Sequence, residues 1–275
     1  MAGDSLRVMS FNIRYDNPRD GANGWANRRE TALKTIAEFD ADLVGLQEVL
    51  PAQAAEVSDR FGADYELLGV PREDGRTRGE IPLILYRRER FEKRRDGTFW
   101  LSQTPEVVGS RGWDAVCVRS ATWVELRDRR NADRSLLFFN AHWDHKGELA
   151  RSESAKLMRR RIAELTGGGR AAVVITGDFN ADAGSPSHRA LLGIDDAEGL
   201  RLSDTFADRH LSTGSSSNAF TYHGFSGSGH ERIDWILRND HLRALEAAID
   251  RRQFDGRYAS DHFPVTASLA WNAQD

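Results

Sequence analysis

The sequence predicts an α/β fold in which two β-sheets pack together with helices outside, as one domain over residues 1–275. Three observations predict it. Short apolar runs of strand-forming residues recur along the chain, helical stretches are inserted between them in both halves, and no linker-like segment divides the chain. There is no short-period repeat, although both halves run strands, then helix, then strands.

Residues 6–13 read as a strand, and 16–27 as a polar, turn-forming stretch. A helix is expected over 28–39, with Leu33, Ile36, Ala37 and Phe39 as its apolar stripe. A strand follows at 42–47. Pro51 opens a second helix, reaching about Phe61, because proline suits the first helical position. Strands are expected at 65–70, 81–86 and 91–100, with a charged loop at 71–79. Two more, at 115–127 and 136–142, are joined by the charged turn 128–134. Residues 149–165 form the clearest helix, with Ala155, Leu157, Met158, Ile162 and Leu165 on one face, and Gly167-Gly168-Gly169 ends it. A strand at 172–177 comes next. Beyond it the chain is loop-rich, with a short helix at 187–192 and a Ser-rich, mobile stretch at 212–218. Strands at 220–222, 232–237, 244–251 and 265–270 complete the reading.

The strands share one design: an apolar run that ends in a polar group able to hold a metal or a phosphate. Leu6-Arg7-Val8-Met9-Ser10-Phe11 ends at Asn12, and Leu43-Val44-Gly45-Leu46 runs into Gln47-Glu48. Leu136-Leu137-Phe138-Phe139-Asn140-Ala141 ends at His142, with Asp144 and His145 just beyond. Ala172-Val173-Val174-Ile175-Thr176-Gly177 ends at Asp178, with Asn180 two residues on. Asp234 interrupts Ile233 and Trp235, and Asp261-His262 precedes Phe263-Pro264-Val265. Carboxylates, amides and histidines without cysteine make up the ligand set of a hard cation such as Mg2+ or Mn2+, and that chemistry suits phosphate-ester hydrolysis.

Composition narrows the classes. The 275 residues are 40% hydrophobic and include seven Trp, which allows a sizeable core. The net charge is −4, from 38 basic and 42 acidic residues, which argues against a protein that coats nucleic acid. The single Cys117 forms no intramolecular disulfide, so a reducing compartment is expected. The N-terminus lacks the regions of a signal peptide, and no apolar stretch approaches the ~20 residues that cross a bilayer. The expectation is a cytoplasmic protein with no membrane contact and no obligate protein partner.

Taken singly, each motif has an ordinary reading. Gly177-Asp178-Phe179-Asn180 is either a water- and phosphate-positioning turn or a plain Asp/Asn turn closing a strand. Asp234, apolar on both sides, needs a partner, because an unpaired buried carboxylate is costly. His262 would supply one and be held in one tautomer, while Arg232 on the same face is the alternative. Gln47-Glu48 and Asn12 read equally as strand-end polars. His142 and His145, three apart, raise zinc, but zinc expects more His or Cys at close spacing. Arg119 in an apolar strand and Arg28 at a helix start are candidate phosphate clamps; for Arg28 a solvated helix start is the other reading. Tyr222 lines a substrate mouth on one reading and belongs to the core on the other. The basic loop 72–78 lends support to nucleic acid as substrate, offset by its interleaved acids.

Their joint order is specific. Asn12, Gln47-Glu48, His142, Gly177-Asp178-Phe179-Asn180, Arg232-Ile233-Asp234 and Ser260-Asp261-His262 together resemble the endonuclease/exonuclease/phosphatase family, over residues 6 to 270, and the middle stretch resembles its compact bacterial members. The resemblance implies a four-layer α/β sandwich and a Mg2+- or Mn2+-dependent phosphoesterase. By position it implies Glu48 as main metal ligand, aided by Asn12 and Asp261, and Asp178 on the attacking water. It further implies Asn180 and His142 on the phosphoryl oxygens, and His262, backed by Asp234, at the leaving oxygen. Arg28, Arg119, His145 and Tyr222 are the expected substrate contacts. The disulfides of pancreatic-type DNases, the signal and aromatic hairpin of secreted sphingomyelinases, and the tyrosine segment of abasic-site endonucleases are missing. The expected function is hydrolysis of a small phosphate ester, with a DNA or RNA nuclease using the same centre as the alternative and a catalytically silent binding module as the remote one.

Overall fold

Period-two alternation along the strands sorts side chains into layers, and the layers build the molecule. The computed structural model describes residues 5–130, 134–168, 171–194, 199–210 and 219–272. The Ser-rich stretch 212–218 and Gly169 lie outside the described residues.

The first six-stranded sheet has the order β11-β12-β1-β2-β4-β3. Its strands are β1 (Leu6–Asn12), β2 (Leu43–Val49), β3 (Tyr65–Leu68), β4 (Ile81–Arg87), β11 (Leu242–Ile249) and β12 (Val265–Trp271). The second has the order β5-β6-β7-β8-β10-β9. It is built from β5 (Phe91–Trp100), β6 (Ser120–Asp128), β7 (Ser135–His142), β8 (Ala172–Asp178), β9 (Ser203–Asp204) and β10 (Asp234–Arg238). Each sheet has one parallel pair, β1 with β2 and β7 with β8. A parallel pair needs a crossover. Helix α1 (Trp25–Phe39) supplies the first and α3 (Glu148–Thr166) the second. Helices α2 (Pro51–Phe61), α4 (Pro186–Leu192) and α5 (Thr205–His210) complete the described set.

Leu6, Val8 and Leu43 of the first sheet meet Val124, Leu126, Leu136, Phe138 and Val174 of the second in the layer between the sheets. The alternate residues Met9, Phe11, Val44 and Leu46 pack on Leu33, Ile36, Val57 and Phe61 of the outer helices. On the other side, Leu137, Phe139 and Ile175 pack on Met158, Ile162 and Leu191. The result is the four-layer α/β sandwich.

Following the inward face toward the C-terminal strand ends, the side chains change from apolar to polar. After Leu6 and Val8 come Ser10 and Asn12; after Leu136 and Phe138 come Asn140 and His142; after Val174 come Thr176 and Asp178. The middle of this progression is a buried polar seam that ties one sheet to the other. Asn140 Nδ2 donates to the Leu46 carbonyl at 2.8 Å and to the Leu83 carbonyl at 3.0 Å. Its Oδ1 accepts from Gln47 Nε2 at 2.7 Å and from Thr176 Oγ1 at 3.1 Å. Ser10 Oγ accepts the Gly177 N–H at 3.0 Å. The sheets approach so closely here that a Cβ on Gly45 would lie 2.0 Å from Thr176 Oγ1. Glycine at 45 is therefore a steric requirement.

The structure departs from the expected elements in three places. Helix α1 starts at Trp25, whose Nε1 donates to Glu56 at 2.6 Å. The expected strand at 115–127 begins only at Ser120, because Asp144 Oδ2 takes the N–H groups of Val116 and Cys117 and holds that segment as a loop. The expected strand at 220–222 reduces to one bridge, Tyr222 with His262. Strand β9 and helix α5 are too short to carry a periodic signal.

Asn140→Ala removes a donor from the Leu46 and Leu83 carbonyls and the shortest acceptor of the Gln47 amide, which keeps only the Gly45 carbonyl at 3.1 Å and Ser10 Oγ at 3.3 Å. Unpaired buried groups cost about 1–3 kcal/mol each. A loss of stability on the order of 3 kcal/mol is therefore expected in urea titration. A change under about 1 kcal/mol would show the seam to be dispensable.

Candidate active site

The polar progression ends in one cluster at the C-terminal ends of the two parallel pairs. In open α/β sheets this is where ligands collect, outside the carboxyl ends of parallel strands. Asn12 ends β1 and reaches both sheets: its Nδ2 donates to Glu48 Oε1 at 3.1 Å and to Asp178 Oδ2 at 2.9 Å. Its Oδ1 accepts the Arg14 N–H at 2.9 Å.

Glu48 follows the inward-facing Gln47, so the pleat alone would aim it at the helices. A register shift between Leu46 and Val49, with Glu48 at φ 60°, turns its carboxylate to the site instead. Its Oε2 is held by the Tyr15 N–H at 3.1 Å.

Asp178 ends β8, paired in register with His142 and with Asp234. His142 Nε2 lies 3.5 Å from Asp178 Oδ2, and its Nδ1 lies 3.4 Å from Glu80 Oε2. Asn180, at φ 48°, donates its N–H to Asp178 Oδ1 at 3.0 Å and its side-chain amide to the Trp143 carbonyl at 3.0 Å.

Asp234 pairs with His262, with Oδ2 to Nδ1 at 2.9 Å. The alternative partner Arg232 is taken by Asp204, at 2.7 Å, which also receives His188 Nε2 at 3.1 Å. With Nδ1 committed to Asp234, His262 presents Nε2 to the site, 3.8 Å from Asp178 Oδ2. Tyr222, 43% exposed, stands at the rim with its ring 5.1 Å from that of His262.

Burial and charge divide the ionisable groups. Burial raises the Asp178 carboxyl above the usual range, and the neighbouring Asp234 raises it further. Asp261 is raised by burial and by Glu48. Burial opposes charge on His262, but Asp234 and Asp178 win and hold its pKa well above the ordinary value. His142 goes the other way: burial and the charge of Arg119 push it down to about 3. One imidazole is thus a cation at neutral pH and the other is neutral.

One expected substrate contact, and the loop that lent some support to nucleic acid, need revision. Arg28 is fully buried, and its five donors are spent on the carbonyls of Asn23, Ile13, Ala259, Arg14 and Tyr15. It braces the loop after β1 and has no N–H left for a phosphate. Burial lowers its pKa to about 10. The basic loop is also internally neutralised, by Arg72 with Glu80 at 2.6 Å and Arg78 with Asp74 at 3.2 Å. Arg119 does lie beside the cluster, one residue before β6, 5% exposed. Its Nη2 meets His145 Nδ1 at 3.1 Å, while its Nε and Nη1 make no hydrogen bond.

Three residues of this region carried no separate signal in the sequence: Arg14, Asp20 and Glu80. Arg14 makes a two-pronged pair with Asp20 and lies 3.8 Å from Glu48 and 3.7 Å from Asp261. Its position two residues past Asn12 was the only available hint.

Glu48, His142 and Asp178 have ligand atoms within 4.8 Å of one another, as do Asp178, Asp234 and His262. Cys117, Asp144 and His145 form a third such group, but Asp144 already accepts the N–H groups of Val116, Cys117, Lys146 and Gly147. That carboxylate holds a turn. At the centre itself, the four carboxylates of Glu48, Asp178, Asp234 and Asp261 are offset by Arg14, His262 and the buried Arg28. Oxygen donors with excess negative charge in a buried setting fit a hard divalent cation.

The sequence profile of the endonuclease/exonuclease/phosphatase family matches residues 9–262. The chain belongs to that family. It is 33% identical to a family protein from Bacteroides vulgatus, with a TM-score of 0.86, covering 98% of this chain and 99% of that one. It is 31% identical to a mannosyl-6-phosphatase from Bacteroides thetaiotaomicron, again with a TM-score of 0.86, covering 97% and 100%. D. rerio TDP2, solved with a single-stranded DNA product, shares the fold at a TM-score of 0.71 and 19% identity, covering 96% and 98%. Family members are hydrolases of phosphate esters, and the carboxylate and histidine groups here can bind a metal. Among the described residues, no helix is long and apolar enough to cross a membrane.

The raised pKa of His262 fixes the sign of a stability measurement. A folded-state pKa above the unfolded value of about 6.5 contributes stability that is full below that pH and is lost as pH rises through the folded value. The stability gap between wild type and His262→Gln should therefore narrow from pH 6 toward pH 9. Denaturant titrations across that range test it, and a gap that widens with pH contradicts the Asp234–His262 pairing as the source.

Proposed function

We propose that this protein is a Mg2+- or Mn2+-dependent phosphoesterase that hydrolyses a small phosphate ester by in-line attack of water. The observation that carries the reading is the meeting of Glu48, Asn12, Asp178, His142, Asp261 and the Asp234–His262 pair in one buried cluster built from both sheets.

Glu48 and Asp261 would hold the cation, with Asn12 fixing Glu48 in place. Such a cation would supply neutralisation of the phosphate charge, which otherwise repels the nucleophile. Asp178 accepts a hydrogen bond from water and orients it. The Asn12 and Asn180 N–H donors fix that carboxylate on either side. His142, neutral, offers a ring N–H to a phosphoryl oxygen, and Asn180 has a second amide hydrogen for another. His262, cationic and held through Nδ1, points Nε2–H toward the site, where it stabilises the leaving oxygen and protonates it as the ester bond breaks.

A phosphorylated sugar is the substrate class to test first. A relative 31% identical over nearly the whole chain is a mannosyl-6-phosphatase. The net charge of −4 and the paired arginines of the loop after β3 favour a compact ester over a polynucleotide. The protein acts without an obligate partner or a membrane surface, in the cytoplasm.

Sugar phosphates, nucleic acids, phospholipid headgroups and dinucleotides, assayed with EDTA and with Mg2+ or Mn2+ added back, test the class. Turnover of sugar monophosphates that EDTA abolishes is expected; plasmid nicking with no monoester turnover would favour the nuclease. Glu48→Gln should remove most activity together with metal binding. Asp178→Asn should cut turnover on the order of 10²-fold or more while metal binding persists. Equal loss of both would place Asp178 among the metal ligands.

A further inference from the structure

We propose that Arg14 is a built-in counter-cation whose charge-balancing role at Glu48 and Asp261 the divalent metal takes over, and that the guanidinium, kept in place by Asp20, then serves as the clamp for a phosphate oxygen. The proposal rests on the phosphoesterase reading above and assigns a role to a residue outside its mechanism.

The geometry supplies both halves. Arg14 directs Nε and Nη2 at the two oxygens of Asp20, at 2.9 and 3.0 Å. Asp20 is itself fixed by Asn17 Nδ2 at 3.0 Å. Arg14 Nη1 makes no hydrogen bond and lies 3.8 Å from Glu48 Oε2, while Nε lies 3.7 Å from Asp261 Oδ2. Both distances are too long for hydrogen bonds but well within the range of strong charge attraction. The guanidinium thus balances the two carboxylates assigned to the metal without bonding to either.

The backbone makes this placement rigid. Arg14 sits at φ 56°, a region that costs a side-chain-bearing residue on the order of 1 kcal/mol or more and persists only where its surroundings fix it. Here its N–H is held by Asn12 Oδ1, and its carbonyl accepts from Arg28 Nη2 and from Gln53 Nε2. Its guanidinium also lies 4.7 Å from the Tyr15 ring centroid. A side chain anchored at backbone and head has little freedom left to lose when a ligand arrives.

When a divalent cation takes Glu48 and Asp261, their attraction for Arg14 is cancelled and replaced by repulsion between cations. Asp20 keeps the two-pronged pair, so Arg14 stays at the mouth with both Nη1 hydrogens free. A phosphate oxygen beside the metal is the acceptor that such a planar donor fits. The device gives two effects of opposite sign: Arg14 weakens metal binding in the free protein and strengthens ester binding in the loaded one.

Arg14→Gln in the full-length protein separates them. Mn2+ titrated into metal-free protein and followed by electron paramagnetic resonance should bind on the order of tenfold more tightly than to wild type, from loss of one positive charge near the site. KM for the best ester from the panel should rise about tenfold or more, with kcat changed less. Arg14→Lys keeps the charge but not the fork, so Mn2+ affinity should stay near wild type while KM still rises. Unchanged or weaker Mn2+ binding in Arg14→Gln overturns the counter-cation role. An unchanged KM overturns the clamp. Wild-type protein that binds no Mn2+ refutes the metal-dependent reading itself, and the handover with it.

Discussion

The site depends on how two sheets are fixed against each other at their C-terminal ends. Apolar packing alone does not set that register, because Leu, Val and Phe side chains tolerate small sliding. Hydrogen bonds do not. Asn140 of the second sheet is bonded to carbonyls of β2 and β4 and to Gln47 of the first, and Ser10 of the first receives a backbone N–H of the second. Buried polar groups that lose a partner are costly, so this seam admits one alignment. One residue beyond it on each inward face stand Asn12, His142 and Asp178, contributed by both sheets. The cluster inherits its geometry from the seam.

The cluster in turn is an electrostatic compromise. Four carboxylates share a largely buried space, against Arg14, the buried Arg28 and one protonated imidazole. Burial pushes Asp178 and Asp261 toward their neutral forms, and the same negative field holds His262 in its charged form. His142, a few ångströms away but close to Arg119, is kept neutral. Two histidines of identical chemistry acquire opposite states from their neighbours alone. A cluster that concentrates negative charge in this way has the donor set of a divalent-cation site, and Arg14 lies at its edge.

Arginines show how misleading composition can be for partners. The basic loop after β3 lends nucleic acid some support in the sequence, offset by its interleaved acids, and the structure shows that offset directly: Arg72 and Arg78 are paired with Glu80 and Asp74. Arg28 reads as a helix-start surface residue or a phosphate clamp and is neither, since its fork collects carbonyls from three segments and shapes the loop that carries Arg14. Arg14 is set at the site's edge by that same bracing.

Much was legible in the order of residues. Alternating apolar strands fixed the sandwich class, because period-two burial is a property of each segment by itself. The groups Asn12, His142 and Asp178 could be named for the same reason: each closes an inward-facing strand whose direction the pleat already sets. Glu48, Asp234 and His262 stood out only as polar groups beside apolar runs. Their convergence, the turn of Glu48 into the site through a bulge, the choice of His262 over Arg232 as partner of Asp234, and the roles of Arg28 and Arg14 were decided only in three dimensions. Those outcomes depend on groups far apart in the chain competing for the same hydrogen bonds and charges, and no local pattern records who wins.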